Sequence, residues 1–134
     1  NVTATTGSAL LRQHRDRLET AREIIERIEA HRSAEVYLRI TANVEGDSEE
    51  AVAAKVLERP ETVGLQGPTV ARVFAPDGKL WFAVTVYVDK QNLTSVVDHF
   101  RTIGGASVTV SDASYVFGQE SSAYAALLAE LGLA

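Results

Sequence analysis

The chain has 134 residues, enough for one domain with a buried core and too few for a multidomain enzyme. Its hydrophobic content of 46% and charged content of 23% are those of a globular domain, and no apolar run reaches the roughly 18 residues that a membrane span needs. The absence of cysteine excludes disulfides and thiol chemistry, and the net charge of -5 disfavours a phosphate backbone, so we expect neither a membrane nor a nucleic acid as a partner.

The N-terminal segment predicts a tether followed by a long helix. Residues 1–7 are small and polar without periodicity, as in a linker. From Leu11 to Ile28 apolar side chains recur at near-helical spacing, which predicts one helix from about Ser8 to His31. The sequence begins without methionine or an apolar leader, and we expect it to be part of a longer protein.

A strand and a helix are predicted next. Residues 34–44, AEVYLRITANV, alternate apolar and polar side chains, as a strand with one buried face does. Either Asp47 or Ser48 can cap the following helix, whose acidic first turn suits the positive end of the helix dipole. Arg59 precedes a proline and is therefore pushed out of the α region, so that helix ends there.

The central part of the sequence predicts a loop, a hairpin and a second helix. The segment ETVGLQGPT, residues 61–69, is the least regular in the chain. Residues 70–75 and 80–88 are typical of two strands, joined by a tight turn at residues 76–78. Residues 90–103 carry apolar side chains at helical spacing and are followed by two glycines that can form a C-cap.

The last elements complete an α+β pattern. Residues 107–110 and 115–117 predict a final strand with a polar interruption, and residues 121–131 predict a short helix. Without the first and last helices the order is β-α-β-β-α-β, which is that of the ferredoxin-like fold, with four antiparallel strands and two helices on one face. The opposite face is mixed in polarity, so we expect a partner subunit to cover part of it.

No residue pattern supports a catalytic or metal site in this chain. The three histidines, His14, His31 and His99, share no metal-ligand spacing and are most simply exposed or partly packed helix residues. The serines lack a glycine-flanked elbow, the adjacent Glu49 and Glu50 point about 100° apart on a helix, and no phosphate-loop motif occurs. We therefore assign no catalytic residue and no metal ligand, and leave open whether the chain belongs to an enzyme.

Two loops that contain glycines are the candidate binding segments. Residues 64–69, GLQGPT, and residues 104–107, GGAS, allow backbone groups and a hydroxyl to approach a small polar ligand such as an amino acid. A turn at Gly67 and a helix cap at Gly104 or Gly105 explain the same glycines at least as well. The residues alone thus predict a regulatory or binding module whose ligand stays open.

Several segments of the sequence resemble one protein family. They are RLETAREIIERIEAH, VYLRITANVEG, GLQGPTVARVF and WFAVTVYVDKQNLTSVVDHFRTIGGASVTVSDASYVF. In order and spacing these segments resemble the C-terminal regulatory domain of long-form ATP phosphoribosyltransferase, the first enzyme of histidine biosynthesis, and most closely its plant-type branch. The tail GQESSAYAALLAELGLA lies outside the pattern of many members.

The resemblance implies an allosteric domain that binds L-histidine as a feedback inhibitor. The ligand-contacting positions of the family fall on Asn43, Leu65, Thr69 and Ser107, at contacts between neighbouring subunits of a hexamer. Some relatives carry an acidic residue at the Asn43 position, whereas the amide oxygen of Asn43 can accept a hydrogen bond from the ligand's ammonium group. The catalytic domains, with their Mg²⁺, would precede this chain, which is expected to need no cofactor of its own.

The resemblance also implies a division of the chain and a location. Residues 1–32 would be a tether and leading helix from the catalytic region, residues 33–118 the ferredoxin-like regulatory domain, and residues 119–134 a C-terminal helix. The location would be cytoplasmic, or a plastid if the parent is of the plant type. The alternative is a stand-alone ferredoxin-like module that binds another amino acid, acts as a small dimeric enzyme, or only holds subunits together.

Overall fold

The computed structural model describes residues 15–133 of the chain. The predicted tether and the first part of the predicted leading helix, with Leu11 and His14, lie outside the described residues. The helices are α1 (Arg15–Ala34), α2 (Glu49–Val56), α3 (Leu93–Thr102) and α4 (Ser122–Glu130), and the strands are β1 (Tyr37–Glu45), β2 (Thr69–Phe74), β3 (Leu80–Asp89) and β4 (Gly105–Asp112). Short 3₁₀ helices form at Pro60–Val63 and Lys90–Asn92.

The chain divides into two compact units. The sheet unit is Val36–Ala113, and the helical unit contains the described residues 15–35 and 114–133. The predicted functional division after residues 32 and 118 stays a prediction.

The sheet unit has the ferredoxin-like topology that the sequence predicts. Its four strands lie in the order β2-β3-β1-β4, and every neighbouring pair is antiparallel. The central strands β1 and β3 pair along their whole length, from Tyr37 opposite Asp89 to Glu45 opposite Trp81. The α+β ferredoxin-like prediction, with an added helix before and after it, is confirmed.

The core lies between one face of the sheet and the helices α2 and α3. Alternate residues of β1 and β3 are buried on this face, as the period of two predicts. The core residues are Ile40, Ala42, Val44, Phe82, Val84, Val86 and Val88 from the strands, with Val52, Val56, Val96 and Phe100 from the helices. The intervening residues of β1 and β3 form the opposite face, which we call the outer face.

The start of α2 resolves an alternative that the sequence left open. Ser48 is the N-cap, because its Oγ accepts a hydrogen bond of 3.0 Å from the backbone N–H of Ala51. The predicted helix over residues 90–103 divides into a 3₁₀ helix and α3, and the carboxylate of Asp89 accepts from the N–H of Gln91 at their start. Helix α2 and the 3₁₀ helix Lys90–Asn92 thus begin with a side chain that satisfies a free backbone donor, whereas α3 has no side-chain cap of its own.

The prediction of strand structure at residues 115–117 was wrong. Strand β4 is continuous over Gly105–Asp112, and the chain then joins the helical unit, where the N–H of Val116 donates to the carbonyl of Ala30 over 2.9 Å. The rings of Tyr115 and Phe117 stack with centroids 5.9 Å apart. This segment makes a backbone hydrogen bond to a helix residue and has no strand ladder, so it is not part of the sheet.

The helical unit is held by a capped helix and by small buried residues. Ser121 caps α4 through a bond of 3.0 Å from the N–H of Tyr124, and the carboxylate of Glu29 on α1 accepts from the N–H of Ala123 over 2.8 Å. The carboxylate therefore also satisfies the N-terminus of α4, where negative charge is favourable. None of the helices over residues 15–133 is long and apolar enough to cross a membrane.

Candidate functional site

Asn43 lies on the outer face near the end of β1. It is half-buried and pairs with Ala83 on one side and Ala106 on the other. The short side chains of these alanines leave space on both sides of the amide. Within the described part of the chain the side chains of Asn43, Thr69 and Ser107 make no hydrogen bond, so their polar groups are available to a ligand.

Ser107 lies beside Asn43 in an irregularity of β4. The pairing changes register between Thr41 opposite Thr109 and Asn43 opposite Ala106, which makes a β-bulge at Ser107. Its φ is 54°, and it is the one non-glycine residue with a positive φ in the described chain. A serine in this region costs roughly 1 kcal/mol relative to glycine. Such strain is concentrated at functional sites, and Ser107 directly follows Ala106, the residue opposite Asn43.

Leu65 and Thr69 lie beside β3, towards the β2 edge of the sheet. The N–H of Leu65 donates to the carbonyl of Tyr87 over 3.3 Å, and Thr69 pairs with Thr85. Both contacts are with β3, on the side of that strand away from β1. The side chain of Leu65 is 41% exposed, and Thr69 is exposed as well. The loop thus presents an apolar side chain and a hydroxyl next to each other.

The glycines of the two loops have clear structural reasons. At Gly64, with a φ of 52°, a Cβ atom would lie 1.9 Å from the carbonyl oxygen of Tyr87. At Gly105 a Cβ atom would lie 2.5 Å from the carbonyl oxygen of Phe100, and Gly104, with a φ of 87°, ends α3. These contacts explain the glycines without a ligand, because the backbone at Gly64 and Gly105 packs against other backbone.

The four predicted residues form two groups on one chain. We call Asn43 and Ser107 the β4 half-site, and Leu65 and Thr69 the loop half-site. Asn43 lies two strands across and two residues along from Thr69, which places these two about 12 Å apart, and β4 lies about 14 Å from β2 across the sheet. The structure brings each pair together and keeps the pairs apart.

Sequence reasoning missed a row of threonines between the half-sites. Thr69, Thr85, Thr41 and Thr109 lie opposite one another in consecutive strands. The hydroxyls of Thr41 and Thr85 share a hydrogen bond of 3.1 Å, and the hydroxyl of Thr109 donates to the carbonyl of Thr41 over 3.5 Å. Because the row needs the strand register, no local sequence signal could have revealed it.

A carboxylate and the tryptophan of the chain meet at the β2–β3 turn. The N–H of Lys79 donates to Asp77 over 2.9 Å, and the indole Nε1–H of Trp81 donates over 3.2 Å. These hydrogen bonds, first that of Lys79 and then that of Trp81, lower the pKa of the Asp77 carboxyl below its ordinary value. Trp81 lies opposite Glu45 in β1, two residues along from the Asn43 position.

The described residues contain no candidate metal site. Over residues 15–133 no three histidine, cysteine or acidic side chains converge on one point. The Mg²⁺ that the resemblance implies for the parent enzyme has no ligand set among these residues.

The fold and these surfaces define the class of the protein. It is a ferredoxin-like domain with helices on one face of its sheet and polar groups available on the other. A family profile described as HisG, C-terminal domain, matches residues 34–115. The chain belongs to the HisG C-terminal domain family.

Two curated relatives from Arabidopsis thaliana match nearly the whole chain. It is 39% identical over 127 residues to a protein named ATP phosphoribosyltransferase 2, chloroplastic, and 36% identical over 127 residues to one named ATP phosphoribosyltransferase 1, chloroplastic. Each match covers 92% of this chain and 31% of the relative. The chain thus spans about a third of the length of these relatives.

Proposed function

We propose that the chain is the regulatory domain of an ATP phosphoribosyltransferase and binds L-histidine as a feedback inhibitor. The family match and the names of both relatives support the parent enzyme and, with it, histidine biosynthesis and a plastid location. The observation that carries the binding proposal is the pair of half-sites, in which three polar side chains have no partner among the described residues. Catalysis belongs to the remainder of the parent protein.

The ligand's groups match the chemistry of the half-sites. The ammonium group of histidine donates to the amide oxygen of Asn43, and its carboxylate accepts from the hydroxyls of Ser107 or Thr69. The half-exposed Leu65 side chain offers an apolar contact to the imidazole ring. Hydrogen bonds to charged ligand groups are worth about 1.5–3 kcal/mol each, so two or three of them suffice for specific recognition.

The positions of the half-sites favour a site shared by two copies. They lie towards opposite edges of one sheet, so the loop half-site of one copy can meet the β4 half-site of the next. A contact between different surfaces of identical subunits forms a ring when its rotation closes and an open filament when it does not. This arrangement supports a homo-oligomer, with the hexamer of the family as our expectation.

Inhibition then follows from a difference in affinity. Histidine stabilises the subunit arrangement in which the half-sites meet, and it lowers activity only if that arrangement is the less active one. Coupling free energies of this kind are about 1–3 kcal/mol, which corresponds to roughly 5- to 150-fold in affinity.

Calorimetry on the assembled protein tests the proposal. We expect L-histidine to bind and L-leucine, which lacks the imidazole, to bind far more weakly. Asn43→Ala and Thr69→Ala should each weaken histidine binding about tenfold, since each removes a hydrogen bond to a charged group. Thr94→Ala, on the exposed surface of α3, serves as the control and should bind like the wild type.

Two outcomes would contradict the proposal. An assembled oligomer that gives no heat and no competition at millimolar histidine would support a module that only holds subunits together. A single species of 14.5 kDa in the ultracentrifuge at micromolar concentration would contradict the shared site.

A further inference from the structure

A buried pair of polar side chains closes the end of α2. Thr62 is fully buried, and its hydroxyl lies 2.8 Å from the carbonyl oxygen of Val56 and 2.7 Å from that of Arg59. His99 on α3 is 7% exposed, and its Nε2 lies 2.9 Å from the carbonyl oxygen of Lys55 and 3.1 Å from that of Val56. We call Thr62 and His99 the α2 clamp.

The clamp binds backbone carbonyls at and just beyond the C-terminal end of α2. These carbonyls already accept from the backbone: that of Lys55 from the N–H of Glu58, that of Val56 from the N–H of Arg59, and that of Arg59 from the N–H of Thr62. The clamp adds side-chain donors to them, since a carbonyl oxygen can accept more than one hydrogen bond. Because carbonyl oxygens only accept, Nε2 of His99 must carry the proton. The carbonyl of Val56 receives both side chains, so the clamp ties α2, α3 and the 3₁₀ helix Pro60–Val63 together at one point.

The clamp lies at the base of the loop half-site. Only Val63 and Gly64 separate Thr62 from Leu65, and Gly64 packs directly on the carbonyl of Tyr87. The N–H of Leu65 donates to that same carbonyl. Beyond Leu65 the loop has no regular structure until Thr69 begins β2. The clamp and the Tyr87 carbonyl are therefore the contacts that fix Leu65 from the side of α2.

We propose that Thr62 and His99 are positioning residues, which hold the loop half-site in its ligand-binding conformation without touching the ligand. The effect on histidine binding rests on the proposed function, whereas the effect on the loop does not. The Thr62 hydroxyl links the start of the loop to the carbonyls of Val56 and Arg59 at the end of α2. His99 binds the Val56 carbonyl from α3.

Hydrogen exchange and calorimetry on Thr62→Val and Thr62→Ser test this proposal. Valine has nearly the shape of threonine without the hydroxyl, and serine restores the hydroxyl. We expect Thr62→Val to speed exchange at the Leu65 amide about tenfold more than at amides of the β1–β3 ladder, and to weaken histidine binding about tenfold. Thr62→Ser should return both quantities to nearly wild-type values.

Thr102→Val is the matched control. The Thr102 hydroxyl also donates to a backbone carbonyl, that of Asp98, over 2.9 Å, but at the exposed end of α3. This variant should leave exchange at Leu65 and histidine affinity unchanged. If it had the same effect as Thr62→Val, the loop would respond to any lost hydroxyl, and the positioning role would be refuted.

The outcomes separate this proposal from the one on which it rests. Equal acceleration of all amides in Thr62→Val, or no rescue by Thr62→Ser, would overturn the positioning role. Failure of the wild type to bind histidine would overturn the proposed function, while the exchange data would still decide whether the clamp holds the loop. If Thr62→Val does not fold, hydrogen exchange of the wild-type protein provides the test. The proposal requires the Leu65 and Thr62 amides to open with the same free energy, and independent opening of the two would contradict it.

Discussion

The two half-sites are held in place by different means, although both belong to one sheet. The loop half-site depends on Gly64, whose backbone lies against the carbonyl of Tyr87, and on the buried α2 clamp. The β4 half-site is part of a regular ladder that is interrupted by a bulge, in which Ser107 has a positive φ. The loop half-site thus has a glycine at position 64, where the backbone requires one. The β4 half-site has a serine at position 107, where glycine would be more stable.

This difference separates a residue that packing explains from one that packing does not explain. A glycine at 64 is explained by packing alone, because any side chain would collide with backbone. A serine at 107 is not explained by packing, because the backbone there favours glycine. The retained hydroxyl is therefore the stronger sign of a ligand contact. Substitutions at the two positions should have opposite effects on stability.

Gly64→Ala is the largest expected change. Its Cβ would lie 1.9 Å from the Tyr87 carbonyl oxygen at a φ that disfavours alanine. We expect the free energy of unfolding to fall by about 3 kcal/mol, as measured by urea denaturation, because β3 or the loop must move. Gly67→Ala is the matched control: its φ of 109° is also positive, but nothing lies within 4 Å, so we expect a loss of about 1 kcal/mol. Equal losses in the two variants would show that Gly64 is needed only for its φ.

Ser107→Gly should separate stability from binding. Relief of the positive φ should raise the free energy of unfolding by about 1 kcal/mol, while loss of the hydroxyl should weaken histidine binding about fivefold. Urea denaturation and calorimetry on the same samples give both values. Ser111→Gly, in the ladder of β4 opposite Arg39, is the control and should be destabilised without loss of affinity. A Ser107→Gly variant that binds histidine as the wild type does would remove Ser107 from the site.

The β2–β3 turn should respond to pH without affecting either half-site. The pKa of Asp77 is lowered from an ordinary value of 3.8 by the hydrogen bonds from Lys79 and Trp81. Their contribution is therefore complete above the ordinary pKa and is lost as the pH falls through the lower, folded value. The fluorescence of Trp81, the only tryptophan of the chain, should titrate below pH 3.8 while circular dichroism still shows a folded chain. Asp77→Asn should abolish this titration and leave histidine affinity unchanged, and a midpoint above 3.8 would contradict the assignment.

Much of the fold could be predicted from local patterns. The alternation in β1 gives its buried face, and the glycine pair ends α3 where expected. The segment at residues 115–117 was predicted wrongly because a short apolar run has the same pattern whether it joins a sheet or packs on a helix. The cap of α2 stayed ambiguous because Asp47 and Ser48 can both accept a backbone hydrogen bond.

The candidate site could be predicted only through the family resemblance. Nothing in the spacing of Asn43, Leu65, Thr69 and Ser107 brings them together, since their proximity depends on strand register. The bulge at Ser107 has no glycine to signal its positive φ. The burial of His99 was missed because the carbonyls it binds lie 43 and 44 residues away in the chain.

A mixing experiment tests the shared histidine site most directly. Asn43→Ala and Thr69→Ala proteins are unfolded together in equal amounts, refolded and titrated with L-histidine. If each site combines the β4 half-site of one copy with the loop half-site of its neighbour, about a quarter of the interfaces in the mixture carry neither substitution and regain wild-type affinity. If all four residues serve a site within one copy, every site in the mixture stays defective, and that result would contradict the account.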